Sequence, residues 1–100
     1  MIRHIVFFSA KDPAEAQRIR DELRARLGVI PHSDHFEVEL NAKRDGYAND
    51  IDVVVYAEFA DFAALAAYKA DPRYSACTAV VKPLRELRFA VDYEAAQARA

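Results

Sequence analysis

An Asp-Pro pair occurs twice in this chain, at Asp12-Pro13 and again at Asp71-Pro72. The short aspartate carboxylate accepts from the first free N–H groups of a helix, and proline at the first helical position gives up no hydrogen bond. Each pair therefore marks a helix start. Before the first pair, "IRHIVFF" is rich in β-branched and aromatic residues and predicts a strand over about residues 2–8. After it, Glu15 is placed to close a capping box, and Ala16, Ile19, Leu23 and Leu27 form the apolar stripe of an amphipathic helix. Gly28 is positioned to make a left-handed turn at its end, with Pro31 just beyond.

The rest alternates between the two periodicities. "DHFEVELN" puts Phe36, Val38 and Leu40 on one face of a strand and His35, Glu37 and Glu39 on the other. "AKRDGYAND" is a polar loop, and "IDVVVYAEFA" is apolar enough to be a strand covered on both faces. Asp61 caps a helix carrying Phe62, Leu65 and Tyr68, and Asp71-Pro72 opens a further helical segment through about Lys82. "LRELRFAVDY" closes the sheet, with Leu87, Phe89, Val91 and Tyr93 on one side. The domain spans residues 1–94, and residues 95–100 are a helix-favouring tail.

The order β-α-β-β-α-β is the ferredoxin-like α+β plan, a four-stranded antiparallel sheet with helices on one face. The other face would leave Ile5, Phe7 and Val54 as an exposed apolar patch. A second copy covers it most economically, so a homodimer is expected.

Composition narrows the partners. With 14 basic and 16 acidic residues spread along 100 positions, no basic stripe offers a footprint for nucleic acid or an anionic membrane. No apolar run is long enough to span a bilayer, and the N-terminus makes a poor signal peptide. A lone Cys77 suits a reducing compartment, so a cytoplasmic location is expected. With only Gly28 and Gly46 there is no glycine-rich phosphate loop, and no cofactor is expected.

"MIRHIVFF", "FADFAALAAYKADP" and "RFAVDYE" together resemble the stress-responsive A/B-barrel (Dabb) domain family over about residues 1–94. The resemblance implies a dimeric α+β barrel made of two ferredoxin-like sheets packed face to face. The family includes plant polyketide cyclases with a pocket between sheet and helices. Their sites use an early-strand His, a helix Tyr and the second His of a His-Pro-x-His turn. His4 and Tyr68 match the first two positions. The turn here reads Asp71-Pro72-Arg73-Tyr74, so Tyr74 stands at the third. A phenol with a reference pKa of about 10 replaces an imidazole that titrates near neutrality. The pattern therefore favours pocket binding over that cyclase's proton abstraction.

Each candidate has two readings. His4 is either a ligand-orienting acid–base group or a core histidine satisfied by the hydroxyl of Tyr68 or Tyr74. Tyr68, beside Leu65, and Tyr74, beside Cys77 and Val81, either line a pocket or fill the core. Asp71 is explained as a cap. Tyr56 faces either the pocket or the dimer barrel. His32, Asp34 and His35 are metal-friendly types, but neighbours on a strand point apart and no fourth ligand is evident, so they read as solvated loop groups. Cys77 reads as an inert buried thiol.

Three functions fit. The first is a homodimer binding a small apolar, aromatic or polyketide-like ligand among His4, Tyr68 and Tyr74, with cofactor-free proton transfer or cyclisation as its chemistry. The second is a non-catalytic dimeric stress-response module. The third is a cofactor-independent monooxygenase of the wider barrel superfamily.

Overall fold

The computed structural model describes residues 1–47 and 50–96. Strands β1 (Ile2–Ala10), β2 (His35–Leu40), β3 (Val53–Phe59) and β4 (Arg85–Glu94) form one antiparallel sheet in the spatial order β2-β3-β1-β4. Helices α1 (Ala16–Leu27), α2 (Phe62–Ala70) and α3 (Pro72–Val81) cover one face, which gives the ferredoxin-like α+β fold. The first strand runs two residues past the predicted end.

Strand alternation sorts the side chains. Ile2, His4, Val6 and Phe8 of β1 are buried under the helices, as are Val53, Val55, Ala57 and Phe59 of β3. Ile19, Leu23 and Leu27 of α1, Leu65 and Tyr68 of α2, and Cys77 and Val81 of α3 close the core from above. Each large apolar side chain so buried contributes about 1.5–3 kcal/mol. Of the three residues Phe62, Leu65 and Tyr68 that recur along α2, Leu65 and Tyr68 are buried, whereas Phe62 in the first turn is 56% exposed.

Aspartate caps all three helical starts. Asp12 Oδ1 accepts from the Ala14 N–H at 3.0 Å, Asp61 from Ala64 at 2.8 Å, and Asp71 from Arg73 at 2.9 Å. Pro13–Glu15 forms a single 3-10 turn before α1, so the capping box does not close, and Glu15 faces Arg18 at 3.7 Å. Gly28 is also not left-handed: its φ of −64° and ψ of −18° continue the helical twist. A Cβ there would lie 2.5 Å from the Arg24 carbonyl oxygen, so close approach explains the glycine. The left-handed residue of this connection is His32, at φ 94°.

Ala95 continues the sheet edge through its N–H to the Met1 carbonyl at 2.9 Å. Ala95 and Ala96 are not helical, and residues 97–100 of the expected helical tail lie outside the described residues. The chain is 17 Å thick along its shortest axis, one sheet plus one helical layer. Phe89, Val91 and Tyr93 therefore stand exposed on the other face of the sheet, at 54%, 48% and 42%. No described helix is long and apolar enough to cross a membrane.

Candidate functional site

His4 stands in the middle of β1 on the helix-covered face, 1% exposed. The β1–β4 register sets Asp92 directly opposite it, and alternation along β4 turns Asp92 to the same face. The His4 Nδ1–H donates to Asp92 Oδ1. A carboxylate can only accept here, so the bond fixes the tautomer and leaves the lone pair on Nε2. Burial pushes the His4 pKa below its ordinary value, with Asp92 opposing and Lys69 and Arg88 adding to the depression. The imidazole is therefore neutral near pH 7. Its partner is the carboxylate, not a tyrosine hydroxyl as the sequence suggested. A bare ring would keep the buried Nδ1–H unsatisfied unless the strand beside it supplied an acceptor.

Tyr68 descends from α2 and is 1% exposed. Its ring meets Phe59 at 5.1 Å, Tyr74 at 5.3 Å and His4 edge-on at 6.3 Å between centroids. Among the described residues its buried hydroxyl has no hydrogen-bond partner. Such a group costs about 1–3 kcal/mol when left unmet. Burial, with Tyr74 and Cys77 nearby, drives its pKa far above the ordinary phenol value. The hydroxyl stays protonated and can only donate or accept a hydrogen bond.

Tyr74, half-buried on α3, accepts from Arg88 Nη2 at 3.1 Å. Arg88 shares the face of Asp92 by simple alternation. Arg85, three residues earlier, should fall on the opposite face. It does not, because β4 carries an extra residue: Phe8 pairs with Arg88 while Ala10 pairs with Arg85. This bulge turns Arg85 back toward the helices. The Leu87 N–H within it donates to Ser9 Oγ at 3.0 Å. His4, Tyr68, Tyr74, Arg85 and Arg88 thus line one cavity floored by Val6, Phe8 and Val55. Its volume is about 20 Å³, room for about one water.

The remaining candidates lie elsewhere. Tyr56 is on the open face and donates to Glu58 Oε2 at 2.5 Å. His32 and Asp34 are exposed, and His35 contacts Glu37 at 2.6 Å. Among the described residues no group of three or more His, Cys, Asp or Glu side chains is arranged to hold a metal ion. Burial pushes the Cys77 thiol up to about 11. Asp71 caps α3 and is gripped by Arg73, which holds its carboxyl at about 2. Sequence reasoning missed Asp92, Arg85 and Arg88. Alternation opposite Val91 and Tyr93 marks Asp92 and Arg88 as helix-facing, whereas only the bulge reveals Arg85.

A family model, the stress responsive A/B barrel domain (Dabb), matches residues 2–95. No curated protein matches the sequence significantly. A Dabb family protein with a ferredoxin-like fold from Mesorhizobium loti is 27% identical, covers 96% of this chain and 97% of that one, and superposes with a TM-score of 0.80. A dimeric ferredoxin-like protein of unknown function from Thermobifida fusca is 24% identical over 92% of this chain and 88% of its own, with a TM-score of 0.76. The hydroxynitrile lyase from Passiflora edulis is 14% identical over 99% and 96%, with a TM-score of 0.77, a likeness of fold alone.

Proposed function

This chain belongs to the stress-responsive A/B barrel (Dabb) domain family, and we propose that it is a homodimer binding a small carbonyl-bearing or phenolic compound in the cavity under its helices. One observation carries this reading: the fully buried Tyr68 hydroxyl has no partner among the described residues, and it shares a cavity with a histidine oriented by Asp92. A ligand oxygen supplies the missing bond. The described dimer from Thermobifida fusca supports the assembly, and the apolar open face supplies the surface.

The same groups suit cofactor-free proton transfer. His4 Nε2 takes a proton from the carbon next to a carbonyl, and the C–H electrons move onto the carbonyl oxygen. The Tyr68 hydroxyl donates to that developing oxyanion, and Asp92 stabilises the imidazolium. Returning the proton completes a turnover. Tyr74 acts here as a wall and a hydrogen-bonding group, held by Arg88. An enzyme, the Passiflora edulis lyase, is built on the same fold.

A cavity of about 20 Å³ favours a second reading, the non-catalytic dimeric module with Tyr68 as a core ring. Ring-sized ligands enter only if Arg88 and Tyr74 swing aside, breaking one exposed hydrogen bond worth about 0.5–1.5 kcal/mol. The deciding probe is 4-hydroxyacetophenone, which offers a phenol, a ketone and exchangeable α-protons. On the binding reading it raises the melting temperature, by about 2.7 kcal/mol of stability at 100 times its Kd, and Tyr68→Phe removes the shift. Catalysis adds α-deuterium exchange in D2O that His4→Gln abolishes. Oxygen uptake with this phenol would instead indicate the monooxygenase reading. No thermal shift in the wild type leaves the non-catalytic module.

A further inference from the structure

The arginines at the mouth of the cavity say what the ligand carries. Four other arginines are paired with carboxylates: Arg20 meets Asp21 at 2.7 Å, Arg26 meets Glu22 at 2.6 Å, Arg73 meets Asp71 at 2.8 Å, and Arg24 pairs with Glu39. Arg85 and Arg88 both line the cavity and have no carboxylate partner among the described residues, and burial together with the Arg88 charge pushes the Arg85 pKa down. Arg85 is half-buried, and desolvating a guanidinium that has no counter-charge is costly, whereas Arg88 reaches solvent. Asp92, the carboxylate opposite His4, is committed to the His4 Nδ1–H. Lys69 adds a further positive charge felt at His4. The cavity therefore combines an apolar floor of Val6, Phe8 and Val55 with a cationic rim that is open on one side to solvent.

The rim is also built, not incidental. Regular alternation would send Arg85 to the open face of the sheet. The extra residue in β4 brings it back, and Ser9 supplies the acceptor for the Leu87 N–H inside that bulge. A planar guanidinium matches a carboxylate in a two-point fork, so this pair is suited to grip one.

Resting on the pocket reading above, we propose that the ligand is a small, partly apolar carboxylate, its ring or chain against Val6, Phe8 and Tyr68 and its carboxylate held by Arg85 and Arg88. The bond from Arg88 to Tyr74 then breaks on binding, and the carboxylate replaces the Tyr74 hydroxyl as the acceptor for Arg88.

The test compares 4-hydroxybenzoate with its neutral isostere 4-hydroxybenzamide by titration calorimetry on the full chain. Wild type should bind the benzoate at least tenfold more tightly, about 1.4 kcal/mol, with the advantage shrinking as salt rises. The double variant Arg85→Gln, Arg88→Gln should lose that advantage while keeping its affinity for the amide. Equal affinity for the two compounds in wild type, or an advantage that survives in the double variant, overturns the carboxylate proposal and leaves the pocket standing. Binding of neither compound overturns both.

Discussion

Asp92 stands directly across the β1–β4 ladder from His4 and accepts its Nδ1–H, so a carboxylate that is 28% exposed holds a base that is almost fully buried. The pairing joins the edge strand to the core strand by side chains as well as by backbone. It also gives the only buried imidazole of the described residues a fixed tautomer.

This arrangement makes stability depend on pH with a defined sign. Burial lowers the His4 pKa below the 6.5 of the unfolded chain, so the unfolded state binds more protons between the two values. Stability is complete above about pH 6.5 and falls as pH drops through that window. Asp92→Asn removes the opposing contribution, lowers the His4 pKa further and widens the window. Urea unfolding at pH 8, 7, 6 and 5 should show the gap between wild type and this variant growing as pH falls. A gap that stays constant would mean that Asp92 does not tune His4.

Tyr68 separates stability from binding. Its hydroxyl is buried and unpartnered among the described residues, so Tyr68→Phe removes a group that costs about 1 kcal/mol or more. The variant should melt at the wild-type temperature or about 4–8 °C above it for each kcal/mol gained. Tyr68→Ala deletes the ring from a packed aromatic cluster and should cost about 3–5 kcal/mol. Calorimetric melting at one fixed protein concentration checks both. A Tyr68→Phe protein destabilised by more than 1 kcal/mol would reveal a partner for the hydroxyl.

The fold was legible in the sequence because its signals are local. Asp12, Asp61 and Asp71 cap where their side chains can reach, and the alternation of Phe36 and Val38 or of Phe89 and Val91 follows from the pleat. Gly28 misled because a glycine at a helix end commonly serves the left-handed turn, while here it relieves contact with the Arg24 carbonyl. The site was only half legible for a different reason. His4, Tyr68 and Tyr74 carry residue types that invite attention, but their partners depend on strand register, which no local window contains. Asp92 becomes visible once β4 is laid against β1, and Arg85 only once the bulge is known.

The open face makes its own prediction about assembly. Val91 is 48% exposed in a single copy and lies beside Ile5 of β1, in the middle of the apolar strip. In a two-fold assembly one substitution is felt twice, so Val91→Glu should split the dimer while leaving each chain folded. Wild type should sediment as a dimer with a melting temperature that rises with concentration, and Val91→Glu as a monomer without that dependence. Ala25→Glu, on the exposed side of α1, is the control and should change neither. A wild type that sediments as a monomer would remove the assembly from the proposal.

Ser9 tests whether the bulge in β4 is part of the site. Its hydroxyl is the acceptor for the Leu87 N–H, and Ser9 is only 6% exposed, so Ser9→Ala leaves that donor unmet at a cost of about 1–3 kcal/mol. The strand can recover the loss only by sliding into regular pairing, and a one-residue slip carries Arg85 to the opposite face. The slip predicts that Ser9→Ala, which touches no ligand, behaves like Arg85→Gln toward carboxylates. Urea unfolding should show the stability loss, and the benzoate-to-benzamide affinity ratio should fall toward the value for Arg85→Gln. A lost stability with an unchanged ratio would assign Ser9 to the fold alone. A changed ratio ties the register of an edge strand to the charge the cavity accepts.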